Sequence, residues 1–354
     1  MAVLLVMLSH WLPTSVSHLG AFTGVNTFFV LSGFLISNIL FRNKNEAEAK
    51  DQSKLVVLKN FFFRRALRIF PIYFLVVITL AMLGESRIPG IKYDIVYLLT
   101  FTINFHIYLV KHFGKYTSHL WSLAVEEQFY LVWPWLMLFL KRKYIPYAIL
   151  VFILTGSMSE FFIKDEFGYI ITYTCLAAFG LGALLSWVYT YKPQYLKRTY
   201  QVLSYIILTE LGIIILWITG FKIPALPLRT LLSTVALWVI TYIVLNNTAN
   251  KKLKFSFLLN NRKLIFIGKI SYGFYLYHLY IPYLTSGFLS YLESTLPNFL
   301  QPYAFILYFI SIFCITLLLS WLSWHWIEMP IMRLKSYFEY QNPPSRTPEK
   351  PTYA

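Results

Sequence analysis

The chain has 354 residues, 58% of them hydrophobic and 19% aromatic, and its 13% of charged residues is about half the share of a soluble domain. That composition excludes a soluble globular enzyme, a disordered chain and a disulfide scaffold, and reads as a multi-span membrane protein. The balance of +16, from 31 Lys+Arg against 15 Asp+Glu, is spread over short loops, so it anchors loop ends at an anionic leaflet and does not point to nucleic acid.

In chain order, the first stretch is Met1–Leu12, apolar but short. Twelve residues reach about 18 Å of a roughly 30 Å hydrocarbon core. No basic start precedes it and no small-x-small site follows it, so it fits a signal peptide poorly. It reads as the outer part of a first span whose start lies upstream. Further spans are expected near 21–41, 66–84, 119–140, 144–162, 169–190, 202–220, 228–246, 270–290 and 302–327. Cys175 and Cys314 fall inside such segments and imply no disulfide.

The segment 93–110 is apolar but carries Asp94, Asn104 and His106. Charge decides its reading. If it does not cross, most of the 31 basic residues gather on one side, and only Arg87, Lys92, Lys111, Lys115, Lys164, Lys222 and Arg229 stay on the other. If it crosses, Lys141-Arg142-Lys143 and every later loop change sides. The expectation is an all-α, polytopic transmembrane helical bundle with about ten spans and both termini cytoplasmic. One membrane domain covers 1–335, and 336–354 is a short polar, disordered cytoplasmic tail. No repeat is visible, which weakens a transporter built from inverted halves.

Ionisable groups inside spans are costly and therefore functional candidates. They are His10, Glu126, Glu127, Glu210 and His278. For Glu210 the plain reading is a pairing with a neighbouring helix; for His278, Tyr hydroxyls in Tyr275-Leu276-Tyr277-His278 could satisfy the ring. His119, Ser122 and Glu126 are spaced to share one helical face. Residues on one helix rarely reach triad geometry and no Gly-x-Ser-x-Gly elbow is present, so a polar stripe lining a cavity is the better reading. Arg64, Arg65 and Arg68 form the densest basic cluster touching a span. They serve either as a topology anchor or as an anion site, where guanidinium groups grip phosphate. Ser32 and Gly33 interrupt a bulky span that also holds Gly24, which would let a helix or a ligand come close.

Together these segments resemble the acyltransferase-3 family of bacterial integral-membrane acyltransferases. The likeness is carried by Leu4-Leu5-Val6-Met7-Leu8-Ser9-His10 and Phe28-Phe29-Val30-Leu31-Ser32-Gly33-Phe34-Leu35-Ile36. Arg65-x-x-Arg68 and Trp121-Ser122-Leu123-Ala124-Val125-Glu126-Glu127-Gln128-Phe129-Tyr130 follow. Ser271-Tyr272-Gly273-Phe274-Tyr275-Leu276-Tyr277-His278 and Trp326-Ile327-Glu328-Met329-Pro330 complete it. The motifs run from 10 to 330, nearly the whole chain, and the expectation is a member without the esterase-like domain that many carry after the last span.

The resemblance implies transfer of an acyl group, usually acetyl from cytoplasmic acetyl-CoA, to hydroxyls of extracytoplasmic or lipid-linked glycans in the bacterial cytoplasmic membrane. His10 would be the base or a transient acyl carrier, and Glu126 would orient His10 or a neighbouring donor. Arg64, Arg65 and Arg68 would hold the CoA phosphates. Asn26, Ser32, His119, Trp121, Ser122, Tyr277 and His278 would line the substrate cavity, and no metal is expected. Family members often carry a first-span arginine eleven residues before the histidine, which here would precede Met1; an upstream extension supplying it is expected. Asn26 stands where members commonly carry Asp. The bilayer, acyl-CoA and a glycan or lipid-linked sugar are the expected partners, and a separate extracytoplasmic protein is left open. Two competing readings are a transporter or flippase for a lipid-linked sugar or small anion, and an unrelated membrane acyltransferase fold with a buried His and Asn.

Overall fold

The computed structural model describes residues 2–11, 14–219, 227–249, 256–297 and 299–338. Among them all regular structure is helical. The first half holds α1 (Ala2–Trp11), α2 (Thr14–Ala49), α3 (Lys54–Arg87), α4 (Ile91–Leu99), α5 (Ile103–Val110), α6 (Leu120–Phe139), α7 (Ile145–Phe162) and α8 (Thr172–Tyr191). The second holds α9 (Leu196–Ile218), α10 (Leu228–Thr248), α11 (Ser256–Leu259), α12 (Arg262–Lys269), α13 (Ser271–Tyr277), α14 (Tyr280–Leu284), α15 (Ser286–Thr295), α16 (Ala304–Ser323) and α17 (Met329–Arg333). A closing 3-10 turn covers Leu334–Phe338.

Seven described helices are long and apolar enough to cross a membrane: Gly20–Ala49, Lys54–Arg87, Arg142–Phe162, Thr172–Tyr191, Pro193–Leu216, Leu228–Thr248 and Ala304–Phe338. The sequence suggested more, and three segments account for the difference. Helix α1 has 10 residues, about 15 Å of rise. Helix α6 is continuous over 20 residues, but Glu126, Glu127 and Gln128 lower its hydropathy. The stretch 270–290, read from sequence as one span, is not one helix. It forms α13, α14 and the start of α15, broken at His278–Leu279 and at Thr285. The segment 93–110 lies within α4 and α5, of 9 and 8 residues, each too short to cross alone.

The centre is α2. One face packs on α8, others on α1, α10 and α6. The α2–α8 approach rests on missing side chains. A Cβ on Gly33 would lie 2.1 Å from the carbonyl oxygen of Phe179, and one on Gly182 would lie 2.0 Å from that of Val30. Gly33 therefore admits a helix, one of the two options its sequence context left open. Aromatic rings fill the space beside this seam. Phe179 stacks on Phe129 at 4.1 Å and sits 4.7 Å from Phe29, and Trp133 donates to Ser37 Oγ at 2.8 Å. Helices α7, α9 and α16 lie outside and expose large apolar side chains such as Leu154, Leu208 and Leu318, which suits contact with hydrocarbon.

Two buried charges hold helix ends. Lys44 Nζ donates to the carbonyls of Met137, at 3.0 Å, and Leu140, capping the end of α6. Arg229, counted from sequence among loop residues, is 1% exposed in α10. Its guanidinium donates to Cys175 Sγ and the Tyr169 carbonyl and lies 5.1 Å from the Phe22 ring. Glu210 accepts from Thr234 at 2.5 Å, joining α9 to α10.

The boundary expected at 335/336 falls inside the closing turn, whose last residue packs on α3. Phe338 stacks on Phe63 at 4.7 Å and its carbonyl accepts from Arg64 Nη1 at 3.4 Å. The rest of the expected tail, 339–354, lies outside the described residues.

Candidate active site

Three adjoining cavities run through the bundle. The first, about 660 Å³, has His10, Phe22, Phe113, Ser118, His119, Trp121, Tyr169 and Tyr275 in its wall. The second, about 490 Å³, is lined by Ser32, Arg65, Arg68, Ser122, Glu126, Tyr130, Tyr272 and Tyr275 among others. Val25 and Tyr275 belong to both walls. The third, about 330 Å³, is a basic mouth of Arg42, Asn43, Glu46, Arg64, Arg65, Arg68 and Lys335. It shares Ile39, Arg65 and Arg68 with the second.

The first cavity is positioned by α1, α2, α6 and the broken stretch after α13. The last turn of α1 presents His10 and Trp11, and the Trp11 indole donates to the His278 carbonyl at 3.0 Å. The His10 ring lies 5.1 Å from that of His278, which lies 5.0 Å from that of His119. Trp121 meets Tyr169 edge-on at 5.8 Å, giving an aromatic wall. A latch between loops supports this wall. Lys111 Nζ lies 2.5 Å from Asp165, and its hydrogen bond, with the Phe167 N–H, holds the Asp165 carboxyl below the usual range. Among the described residues no group of three His, Cys, Asp or Glu side chains is arranged to hold a metal ion.

The neck between the first two cavities is a hydroxyl pair. Ser122 Oγ and the Tyr275 hydroxyl lie 2.6 Å apart, and the Tyr275 hydroxyl is 2.9 Å from the His119 carbonyl. The three residues that share a face of α6 therefore do not form a triad. Ser122 meets the His119 backbone, not its ring. Glu126 accepts hydrogen bonds from Ser32 and from Tyr130. Those partners, and not His10, are the ones its carboxylate has here.

Arg65 ties the second cavity to the mouth, its guanidinium 5.2 Å from the Tyr130 ring. Five cations and one carboxylate, Glu46, line the mouth, an arrangement suited to phosphate oxygens. Of the residues to which the family resemblance gives a role, His10, Ser32, Arg64, Arg65, Arg68, His119, Trp121, Ser122 and Glu126 line these cavities. Three do not. Asn26 is fully buried and its amide donates to the carbonyl of Phe22 in its own helix. Tyr277 turns to Ser323 and Glu328. His278 is fully buried behind His10 and His119. Arg42, Lys335, Tyr130 and Tyr275 were not singled out. For Tyr130 a signal existed, since it follows Glu126 by one helical turn; for Lys335 none did.

A family model described as an acyltransferase domain matches residues 1–325. The chain belongs to the acyltransferase-3 family. A protein of Staphylococcus aureus strain COL, named as a candidate O-acetyltransferase, is 30% identical over 350 residues, covering 89% of this chain and 53% of that protein. The peptidoglycan O-acetyltransferase OatA of Listeria monocytogenes serovar 1/2a is 29% identical over 364 residues, covering 92% and 55%. The O-acetyltransferase OatA of S. aureus strain NCTC 8325 is 28% identical over 350 residues, covering 89% and 53%. The chain thus spans about half the length of the curated relatives it matches. No solved structure matches it.

Proposed function

We propose that this chain moves an acyl group, acetyl foremost, from cytoplasmic acyl-CoA to a hydroxyl of a cell-envelope glycan or lipid-linked sugar. The observation that carries the reading is the shared walls of the three cavities: Arg65 and Arg68 join the mouth to the central space, and Tyr275 joins that space to His10. Names of the relatives support the same chemistry, one of them a peptidoglycan O-acetyltransferase. The charge of the loops supports placing the mouth on the cytoplasmic side.

In this reading Arg42, Arg64, Arg65, Arg68 and Lys335 bind the donor's phosphates, with the thioester extending into the central cavity. His10 takes the proton of the acceptor hydroxyl as its oxygen attacks the thioester carbonyl. The C–S bond breaks, and the proton passes from the imidazolium to the departing thiolate. Glu126, held by Ser32 and Tyr130, sets the polar side of the space between them and joins α2 to α6.

Mass spectrometry of surface glycans from cells with and without the protein tests the reading. Loss of an acetyl increment in the deletion strain, restored by the chain and not by His10→Ala, is expected. Unchanged glycan masses with altered glycan export would favour a transporter instead.

A further inference from the structure

His278 is buried, lies outside the cavity walls, and has no part in the mechanism above. Its surroundings fix its protonation pattern. His278 Nδ1 lies 2.5 Å from the Tyr275 carbonyl, and His119 Nε2 lies 3.2 Å from the Leu276 carbonyl. A carbonyl oxygen only accepts, so each of those nitrogens carries a proton, and in a neutral ring the other nitrogen keeps a lone pair. Those other nitrogens, His278 Nε2 and His119 Nδ1, are buried and have no hydrogen-bond partner among the described residues. An unmet buried acceptor costs free energy and calls for a donor.

The neighbouring ring that can supply one, by turning about its Cβ–Cγ bond, is His10. Its centroid is 5.1 Å from that of His278, with planes inclined at 48°. The Trp11 bond to the His278 carbonyl ties the end of α1 to this spot. The titratable groups packed around His278 are His10 from α1, His119 at the start of α6, and Tyr275 in its own helix, with Tyr280 beyond His119.

We propose that His278 is a positioning residue for His10, its Nε2 lone pair accepting the N–H of the His10 imidazole and turning the other His10 nitrogen toward the acceptor hydroxyl. This rests on the reading that His10 is the base. A neutral acceptor behind His10 does what a carboxylate does in a triad, with no charge added to the membrane interior. It favours the imidazolium over the neutral ring, because the bond strengthens when the donor is charged.

The test uses the full chain in detergent with acetyl-CoA and a soluble peptidoglycan oligomer, comparing the parent with His278→Phe and His278→Gln. His278→Phe is expected to reduce kcat about 10–100-fold, the range known for groups that orient metal-ligating histidines, carried over to a catalytic one. The rising limb of its pH–rate profile moves to lower pH, and KM for acetyl-CoA stays within about twofold of the parent's. His278→Gln, with an amide oxygen near the Nε2 position, recovers most of the rate. A Phe variant whose pH profile superimposes on the parent's, or a Gln variant no better than Phe, overturns the proposal. A second measurement does not depend on activity. In ¹⁵N spectra of histidine-labelled parent, His278 shows the Nδ1–H form, and its Nε2 resonance moves in His10→Ala. A protonated Nε2, or a resonance indifferent to His10, overturns the proposal even if His278→Phe does not fold. A parent with no transfer but the expected spectra would instead discredit the assigned function.

Discussion

The indole N–H of Trp11 reaches 3.0 Å to the carbonyl of His278, across 267 residues of sequence. The carbonyl is available because the residue four positions on is Pro282, which has no N–H to donate to it. A short helix without length to anchor itself is thereby fixed at the end that carries His10. Trp11→Phe keeps the ring packing on Phe309 but loses the bond. One hydrogen bond is worth about 0.5–1.5 kcal/mol, so transfer is expected to fall roughly 2–10-fold with little loss of protein. A variant at parental rate would show that the bond does not position α1.

His10→Ala removes the proposed base. General base catalysis is worth about 10²–10⁴-fold. Transfer should drop by that factor while the protein stays in the membrane fraction, checked by immunoblot beside the acetylation assay. Near-parental turnover would take His10 out of the mechanism.

Arg68→Lys keeps the charge and loses the planar fork. Arg42→Ala tests a mouth residue that only the structure brings to the cluster. Charge-assisted hydrogen bonds are worth about 1.5–3 kcal/mol, so KM for acetyl-CoA should rise roughly tenfold or more in each, with kcat changed less. Unaltered donor binding in both, measured by calorimetry with CoA, would reduce the cluster to a topology anchor.

Gly33→Ala places a methyl group 2.1 Å from the Phe179 carbonyl oxygen, in a seam where backbone is the obstacle. Overpacking of this kind costs about 1–3 kcal/mol, more where backbone must shift. The melting temperature in detergent should fall by several degrees. Gly212→Ala is the control: nothing lies within 4 Å of its added Cβ, and a helical Gly→Ala change gains up to about 1 kcal/mol. Equal melting temperatures for the two variants would contradict the seam.

Orientation has its own test. In a Cys314→Ser background, with Cys175 buried, a cysteine replacing the exposed Lys115 should react with an impermeant thiol reagent in intact cells. One replacing Lys263 should be shielded. The reverse pattern would invert the assignment of sides.

Much of the helical framework could be read from apolar length, and the basic mouth from Arg64, Arg65 and Arg68. Most of the partners that escaped lie far apart in sequence. The stretch 270–290 is apolar enough for one span, but Pro282 denies the His278 carbonyl its helical donor, a local signal for the break, and Trp11 takes up the freed carbonyl. Arg229 reads as a loop cation because only folding brings the Tyr169 carbonyl, Cys175 and the Phe22 ring to its guanidinium. Spacing along α6 reads His119, Ser122 and Glu126 as a cavity-lining stripe, without showing which partners each takes. Across the bundle, Ser32 claims Glu126 and Tyr275 claims Ser122. Asn26, expected in the cavity, turns its amide back to Phe22 in its own helix.

The Gly33–Gly182 seam bears on how the acyl preference could be re-engineered. With backbones this close, α2 can neither slide along α8 nor rotate against it without collision. The α2 wall of the central cavity is then a fixed template. With the acyl chain in the central cavity, as proposed above, room for a longer one must come from trimming side chains on that wall, Leu31, Leu35 or Ile39, since displacing the helix would undo the seam. Chain-length selectivity becomes a matter of a few interchangeable aliphatic residues, open to variation while the scaffold behind them stays constant.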